Sequence, residues 1–268
     1  MGLFSGLHTK VAVYMLYRLY VQLFDLEQRW NLLIIVIMII SMMIGAFGGL
    51  AENSIRRVLG YQMLNGMPFI LVMLAFTSDD PRRALAAGIM YTIHHMVTVG
   101  SLILASGAIE ETYGTGVLSK LSGLARRDPV IAWIFAAGAF SVVGFPPFSG
   151  MWGKLMIVFE IARVGGAWAW IAIAAIIIAS FAAFLAMLRV WRKVFWGKGL
   201  PEDKVPDELV IRKKLMAPSA ALILGSLCMF IFSGIVLDVV DAAAEQLLDA
   251  NAYTETVLGD EPIAVPNI

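Results

Sequence analysis

Long runs of apolar residues, separated by short polar connections, dominate this sequence. A helix that crosses a bilayer needs about 20 mainly apolar residues, and the pattern predicts seven such spans. They are Leu7–Leu23, Trp30–Leu50, Leu59–Phe76, Ala84–Ile109, Pro129–Arg163, Trp168–Phe195 and Leu215–Leu237. The fifth contains Pro146 and Pro147, where we expect the helix to be broken. The sequence therefore predicts an all-α fold, a polytopic membrane helix bundle of about seven transmembrane helices.

The end of the chain has a different pattern. Val236–Asp249 is amphipathic and acidic, which favours a helix at the membrane surface. Residues 251–268 are polar and contain two prolines, which predicts a flexible polar tail. We therefore expect a single transmembrane domain over residues 1–250, followed by this tail.

Composition agrees with a membrane protein and excludes most enzyme classes. The chain is 60% hydrophobic and 15% charged, whereas soluble domains contain about 25% charged residues. Mean hydropathy is +0.81. A single cysteine, Cys228, excludes an internal disulfide. No zinc-ligand spacing, P-loop or dinucleotide glycine pattern occurs, so no metal or cofactor is predicted.

Basic residues are unevenly distributed between alternate connections, although the net charge is zero. One side holds Arg56, Arg57, Lys120, Arg126, Arg127, Arg189, Arg192, Lys193, Lys198, Lys204, Arg212, Lys213 and Lys214. The other side holds Arg18, Arg29, Arg82, Arg83 and Arg163. Because lysine and arginine are retained on the cytoplasmic side, we predict a cytoplasmic N-terminus and an external C-terminus. This assignment requires the broken fifth segment to cross once.

Lys154 is the most unusual charged residue, because it lies inside an apolar stretch just after the proline pair. Isolated charges at that depth are costly and usually mark an ion or proton path. Desolvation and the dipole of the second half-helix both disfavour a charged amine there, so Lys154 could take up and release a proton. The alternative is a structural partner for a backbone carbonyl. Glu160, near the outer end, could accept the proton or be solvated.

A second lysine lies in the first span. Tyr14 and Arg18 follow Lys10 at i+4 and i+8, so we expect the three to share one helical face. A lysine and a tyrosine along a membrane helix suit a hydrated proton path. In the alternative interpretation, Lys10 lies near the helix start and its amine reaches the interface.

Two histidines, His94 and His95, fall in the middle of the fourth span. Adjacent side chains point about 100° apart, so the two are not expected to face one channel. One could carry a proton near neutral pH, with Thr98, one turn on, sharing a water with His94. The other could serve only to join helices. Haem ligation is disfavoured because the only other histidine is His8.

Four stretches resemble the D-type subunit of the multisubunit Mrp-type sodium/proton antiporters. They are 3–11, 57–61 with 69–72, 93–96 and 143–154. The last is the most specific, because the family carries a similar run of Gly-aliphatic-Pro-Pro-x-Ser-Gly-aromatic-x-Gly-Lys. The chain is more distantly similar to the antiporter-like subunits of respiratory complex I. The resemblance extends from about Leu3 to Trp196 and is weak beyond.

The resemblance implies roles for the residues at the matching positions. Lys10 would be the central lysine of the proton path, His94 or His95 the histidine relay, and Lys154 the terminal lysine that exchanges protons with the outside. Members of the family work in multisubunit complexes of a bacterial cell membrane, without an organic cofactor. The implied partners are other membrane subunits, protons and a monovalent cation, with no nucleic acid.

Two departures from the family pattern matter. Members are nearly twice as long, and the helices that carry their membrane glutamate and its partner lysine have no counterpart here. Many members also place a lysine shortly after the histidine, where this chain has Val99 at the likeliest position. The chain is therefore expected to be either the C-terminal half of a split subunit, completed by a partner chain, or an inactive truncated copy.

Three functions follow from these observations. The first is a proton-conducting half-subunit of a cation/proton antiporter. The second is a non-pumping structural subunit of such a complex, which Val99 and the missing carboxylate favour. The third is a proton-pumping subunit of a complex I-like or hydrogenase-like assembly; only there would the chain count as part of a translocase enzyme.

Overall fold

The computed structural model describes residues 7–198 and 209–249, and their regular structure is helical throughout. The helices are α1 Thr9–Gln22, α2 Asn31–Ala51, α3 Ile55–Leu71, α4 Pro81–Tyr113, α5 Leu124–Arg127, α6 Pro129–Val143, α7 Gly150–Val164, α8 Gly166–Val190, α9 Lys213–Ile231 and α10 Ser233–Leu248. A 3₁₀ segment, Val72–Ala75, extends α3, and a π-helical turn, Trp191–Phe195, extends α8. The all-α helix bundle is confirmed; the predicted tail, 251–268, lies outside the described residues.

Five helical segments of the described chain are long and apolar enough to cross a membrane. They are Gln28–Ala51, Ile55–Ala75, Pro81–Tyr113, Gly166–Phe195 and Lys213–Ile231. Each overlaps a predicted span, although the last ends at Ile231, before the predicted Leu237, and α10 begins at Ser233. The first predicted span is shorter in the structure, because α1 has 14 residues against the roughly 20 that a crossing needs. The remaining span is the broken one, formed by α6 and α7.

Helix α4 is the longest helix and contacts most of the others. Asp80 caps its start by accepting a hydrogen bond from the Arg83 amide at 3.3 Å, and Pro81 occupies the first turn. Gly114 ends it with a left-handed φ of 67°. These caps extend the helix beyond the predicted Ala84–Ile109, to 33 residues, or about 50 Å.

The fifth span is broken at the prolines, as predicted, and both halves run along α4. Helix α6 ends at Val143, and α7 begins at Gly150. On α6, a Cβ added to Gly138 would lie 2.7 Å from Leu102; on α7, one added to Gly153 would lie 3.0 Å from Tyr91. The contacted residue of α4 thus changes from Leu102 for α6 to Tyr91 for α7. The two halves therefore continue in one direction, as a single crossing requires.

Helices α9 and α10 form a second antiparallel neighbour of α4. Ser219 hydrogen-bonds Ser101, and further along Asp241 pairs with Arg82 at 3.1 Å. The apolar stripe of α10, Val240, Ala244 and Leu247, is buried in the core. Val236–Asp249 is thus amphipathic as predicted, but the expectation of a surface helix is incomplete, because this stripe packs inside the bundle.

The connections with many basic residues meet at one end of the bundle. The Gly123 amide donates to the Trp196 carbonyl at 3.1 Å, and Arg127 donates to the Leu209 carbonyl at 3.0 Å. Arg189 donates to the carbonyl of Glu52. The pair formed by Arg82 and Asp241 lies at the opposite end, by the start of α4. Among the described residues, the basic connections therefore share one side, as the charge pattern predicted.

Tyr17 attaches α1 to this framework. Its buried hydroxyl donates to the carbonyl of Ile70 at 2.7 Å. Gly88, on α4, makes room for it, since a Cβ there would lie 1.9 Å from the hydroxyl oxygen. A short helix with an exposed outer face is thus held by one phenol placed between α3 and α4.

Gly88→Ala should reduce the free energy of unfolding by about 1–3 kcal/mol, because the added methyl group overpacks this contact. The cost should fall in a chain that also carries Tyr17→Phe, since the nearest remaining ring atom would be 3.0 Å away. Denaturant unfolding in detergent measures both values. Gly60→Ala, with nothing within 4 Å, is the control and should have little effect. Equal costs of Gly88→Ala with and without the Tyr17 hydroxyl would contradict this account.

Candidate functional site

Lys154 bridges the break between α6 and α7. Its Nζ donates to the carbonyl of Val143, the last residue of α6, at 2.8 Å and to the Ser180 hydroxyl at 2.9 Å. The same amine lies 5.3 Å from the centre of the Phe69 ring, where a cation–π attraction operates. Carbonyls at a helix end lack an intrahelical partner, and Lys154 supplies that partner to Val143. The amine thus bonds a backbone carbonyl, as the structural alternative expected. Two of its three N–H donors are used in this way, and the third has no partner among the described residues.

His94 lies directly against the same break. Its Nδ1 is 2.8 Å from the Ser149 hydroxyl, the residue just before α7, and 3.3 Å from the Thr98 hydroxyl. The side chain is 1% exposed. Gly150 allows this approach, because a Cβ there would lie 2.9 Å from the imidazole. Thr98 therefore contacts His94 directly, where the sequence suggested a shared water.

His95 points to a different neighbour, as the 100° offset predicted. Its Nε2 lies 3.5 Å from the Gln62 carbonyl on α3, a long contact, and Gly66 leaves space for the ring. The Tyr91 ring lies beside both imidazoles, with centroids 5.3 Å from His94 and 6.0 Å from His95. The two histidines thus face different neighbours of α4, with one aromatic ring beside both.

Several buried polar atoms of α3 and α4 lack a hydrogen-bond partner. They are both polar atoms of the Gln62 side chain, Oδ1 of Asn65 and Nδ1 of His95, among the described residues. The Nε2 of His94 also lacks one there. We call Gln62, Asn65 and His95 the polar seam; the Gln62 amide nitrogen lies toward Gly49 of α2, 3.5 Å from where a Cβ would stand. Since buried polar groups are normally hydrogen-bonded, polar groups of this kind are suited to holding water.

Lys10 faces the core and is 6% exposed, so its amine does not extend to the interface. Its Nζ donates to the Thr9 hydroxyl at 3.3 Å. Tyr14, in contrast, is 55% exposed, and its hydroxyl accepts from Arg18 at 3.0 Å. The expectation of one shared face is wrong. The buried stripe follows Lys10, Val13, Tyr17 and Val21, and positions i+4 and i+8 turn about 40° and 80° away from Lys10.

Glu160 lies further along α7, toward the end away from the basic connections. Its carboxylate is 3.7 Å from Arg163, and its side chain is 14% exposed. Six residues of helix place it about 9 Å beyond Lys154. It is thus neither fully solvated nor in contact with the amine, and its part in proton transfer stays a prediction.

Sequence reasoning missed five polar residues of this region, Gln62, Ser141, Ser149, Ser180 and Ser226. Three of the serines bond residues that were predicted. Ser180 accepts from Lys154, Ser141 lies 2.9 Å from Thr98, and Ser149 lies 2.8 Å from His94. Ser226 bonds two of these serines, Ser141 and Ser149. Serines in apolar spans gave no distinct signal, because they more often reflect helix packing.

Comparisons with known proteins identify the family. The family described as NADH:quinone oxidoreductase/Mrp antiporter, TM matches residues 2–184. The D-type subunit of the Na(+)/H(+) antiporter of Bacillus subtilis is 31% identical over 259 residues, which cover 96% of this chain and 51% of that protein. The N-type subunit of the NADH-quinone oxidoreductase of Hydrogenovibrio crunogenus is 29% identical over 211 residues, covering 78% and 42%.

A solved structure gives the same result. A chain in the structure of the Mrp complex from Dietzia sp. superposes with a TM-score of 0.89 at 32% identity, over 96% of this chain and 55% of that one. Similarity thus continues past Trp196, where the sequence resemblance was expected to weaken. The chain spans about half the length of the relatives that it matches. It belongs to the NADH:quinone oxidoreductase/Mrp antiporter transmembrane family.

Proposed function

We propose that this chain conducts protons as part of a subunit of a multisubunit monovalent cation/proton antiporter. The observation that carries the proposal is the bonding of Lys154 across the helix break, next to a buried histidine. Broken membrane helices expose backbone groups where transporters bind ions. An amine between two half-helices, with a relay histidine beside it, is an arrangement for proton exchange.

The other buried polar groups suggest the order in which protons would pass through the chain. Lys10 lies on α1. The polar seam lies on α3 and α4, and His94 lies between α4 and the break. Protons would pass from Lys10 through water in the polar seam to His94 and then to Lys154, with Glu160 beyond it. Thr98 borders this path, whereas Tyr14 lies on the exposed outer side of α1, away from it.

The family match supports the substrate and the partners. A relative with 31% identity is a subunit of a Na(+)/H(+) antiporter, so the proposed substrates are protons and a monovalent cation. The partners would be the other membrane subunits of the complex. No organic cofactor and no nucleic acid takes part.

We place the chain in a bacterial inner membrane as a multi-pass protein, with the basic end of the bundle in the cytoplasm. Helix α1 would start inside, and the C-terminus would lie outside. The clustering of the basic connections at one end of the bundle supports this orientation.

A non-pumping structural subunit is the second candidate, and Val99 favours it. Val99 is fully buried in an apolar cluster, so no titratable group stands at that position of α4. The match to a subunit of an NADH-quinone oxidoreductase supports a third, a pumping subunit in a redox complex. Co-purification with iron–sulfur or flavin subunits would favour that third function over the antiporter.

Lys154→Met should reduce cation-driven proton flux by about tenfold or more, since proton transfer by a positioned group contributes at least that much. The substitution keeps an unbranched, flexible side chain of similar volume and removes the amine. Proteoliposomes containing the assembled complex measure the flux. Lys120→Met, which changes an exposed lysine at the basic end, is the matched control and should leave it unchanged.

Normal flux from a correctly assembled Lys154→Met complex would contradict the conducting role. If Lys10→Met were also silent while deletion of the chain dissociated the complex, the structural function would replace it.

Membrane orientation has a separate prediction. In a Cys228→Ser background, a cysteine introduced by Lys120→Cys should react with an impermeant maleimide only in inside-out vesicles. One introduced by Arg163→Cys should react only in right-side-out vesicles. The reverse pattern would overturn the proposed orientation while leaving the proton path intact.

A further inference from the structure

A groove runs between α6 and α8 on the outside of the bundle. Its lining is apolar or aromatic throughout and includes Pro129, Trp133 and Val143 of α6, with Phe184 of α8. The groove encloses about 510 Å³, a volume typical of small-molecule sites, which measure roughly 300–1,000 Å³. Trp133 is 76% exposed, so the groove is open on the side that faces the membrane. We call it the α6–α8 groove.

Side chains of different size on the two helices create the groove. The α6 side contains three alanines at the i, i+4 and i+7 spacing of one helical face, Ala132, Ala136 and Ala139. The α8 side contains three large residues at the same spacing, Phe184, Leu188 and Trp191. Because alanine carries only a methyl group, α6 leaves space beside the larger side chains of α8.

The inner end of the groove is closed at the break in the fifth span. Phe145, within the break, lies edge-on to Phe140 of α6 and Phe184 of α8, with ring centroids 5.8 and 6.1 Å apart. Helices α6 and α7 have 15 residues each and cross the membrane together, so the break lies near the middle of the bilayer. From Pro129 to Val143 the groove follows α6 for about 21 Å. This length matches one leaflet of a bilayer that is about 40–45 Å thick with its headgroups.

The other end of the groove lies at the basic end of the bundle. Trp191 and Trp196 line it there, with ring planes at 72° and centroids 6.3 Å apart. The Gly123 amide donates to the Trp196 carbonyl at 3.1 Å, which brings Ala125 of α5 into the lining. Tryptophan is enriched where a membrane meets water, because its ring is apolar and its N–H is polar. The groove therefore opens at the level of the lipid headgroups.

Exposed basic side chains flank this opening. Arg126, Arg192, Lys193 and Lys198 are exposed, and each lies within two positions of a residue that lines the groove. None of the four forms a salt bridge with another described residue. The carboxylate of Asp128, close by in the chain, is buried and already accepts a hydrogen bond from a backbone amide at 3.0 Å. Among the described residues, the opening therefore carries positive charge that no ion pair neutralises.

We propose that the α6–α8 groove binds one anionic phospholipid, with its phosphate beside Arg126, Arg192 and Lys193 and one acyl chain along α6 toward Val143. Basic pockets between membrane helices attract anionic headgroups, and the guanidinium fork of arginine suits a phosphate. The acyl chain meets an apolar lining over the whole depth of one leaflet. Binding does not depend on proton transfer, so this inference goes beyond the proposed function.

A helix of another subunit fits the groove less well than a lipid does. A spanning helix needs about 30 Å of apolar surroundings, whereas Phe145 closes the groove near the middle of the bilayer. An acyl chain ends within one leaflet, and the phosphate at its head matches the positive charge at the opening. Length and charge therefore both favour a phospholipid.

The test uses the assembled complex in phosphatidylcholine nanodiscs, with a phosphatidylglycerol probe that carries a photoreactive diazirine on one acyl chain. Peptide mass spectrometry after illumination locates the attached lipid. Labelling of the α6 and α8 segments that line the groove should saturate as the probe concentration rises, and unlabelled phosphatidylglycerol should displace the probe. A phosphatidylcholine probe should label the same segments without saturation, and inorganic phosphate should not compete.

One substitution tests the place of the acyl chain. Ala136→Phe should raise the apparent Kd of the phosphatidylglycerol probe about tenfold, because the new ring occupies the middle of the groove and overpacks it. Ala174→Phe is the matched control, since it places the same ring on an exposed alanine of α8 outside the groove; there the Kd should not change. Equal Kd values for the two variants would show that the acyl chain does not use the groove and would overturn the proposal.

A pair of substitutions tests the place of the headgroup. Arg192→Gln together with Lys193→Gln should raise the Kd about thirtyfold, at roughly fivefold for each basic residue near an anionic headgroup. Lys213→Gln together with Lys214→Gln is the control, because these adjacent exposed lysines lie at the same end of the bundle but do not line the groove. The control should leave the Kd unchanged, and equal effects of the two pairs would contradict a specific headgroup site.

The unmodified complex can also overturn the proposal by itself. Labelling that never saturates, or that a phosphatidylcholine probe matches, would show ordinary membrane lipid. Absence of labelling would show that protein occupies the groove, and competition by inorganic phosphate would show an anion site without an acyl chain. Each of these results contradicts a phospholipid site. None changes the prediction for Lys154→Met, so the lipid site and the proton path can fail separately.

Discussion

The hydrogen bond between Nδ1 of His94 and the hydroxyl of Ser149 joins the longest helix of the bundle to the break in a neighbouring span. A broken helix in a bilayer exposes backbone groups that lipid cannot satisfy. Here the Ser226 hydroxyl accepts from the Ser149 amide, and the Lys154 amine donates to the Val143 carbonyl at the end of α6. His94 of α4 contacts the Ser149 hydroxyl beside them. One group that makes the break tolerable, Lys154, is therefore also a group that can exchange protons.

This arrangement explains why α4 is long and central. It must present His95 to α3 and His94 to α6, α7 and α9, which requires neighbours around most of its circumference. Small residues make these approaches possible: Gly66 makes room for His95, and Gly150 for His94. A side chain larger than hydrogen would meet the His95 ring at Gly66; at Gly150 it would meet the Ser141 carbonyl first and then the His94 ring. The packing of these glycines and the positions of the two histidines therefore depend on each other.

Much of this could be predicted from the sequence, because local patterns determine it. Apolar run length located the spans, Pro146 and Pro147 located the break, and the 100° offset separated the histidines. The face of α1 was predicted incorrectly, since i+4 spacing drifts away from a stripe that begins at Lys10, and only the packing of Tyr17 shows which side is buried. Ser226 could not be predicted, because its partner Ser141 is 85 positions away and an isolated serine carries no signal of its own.

The most direct test of the central claim is a cryo-electron microscopy map of the assembled complex that resolves buried water. If protons cross this chain between Lys10 and Lys154, ordered water should contact the Gln62 amide, Nδ1 of His95 and Nε2 of His94. These contacts should form one connected series with the two amines. A dry polar seam, with those atoms packed against apolar side chains, would contradict the account.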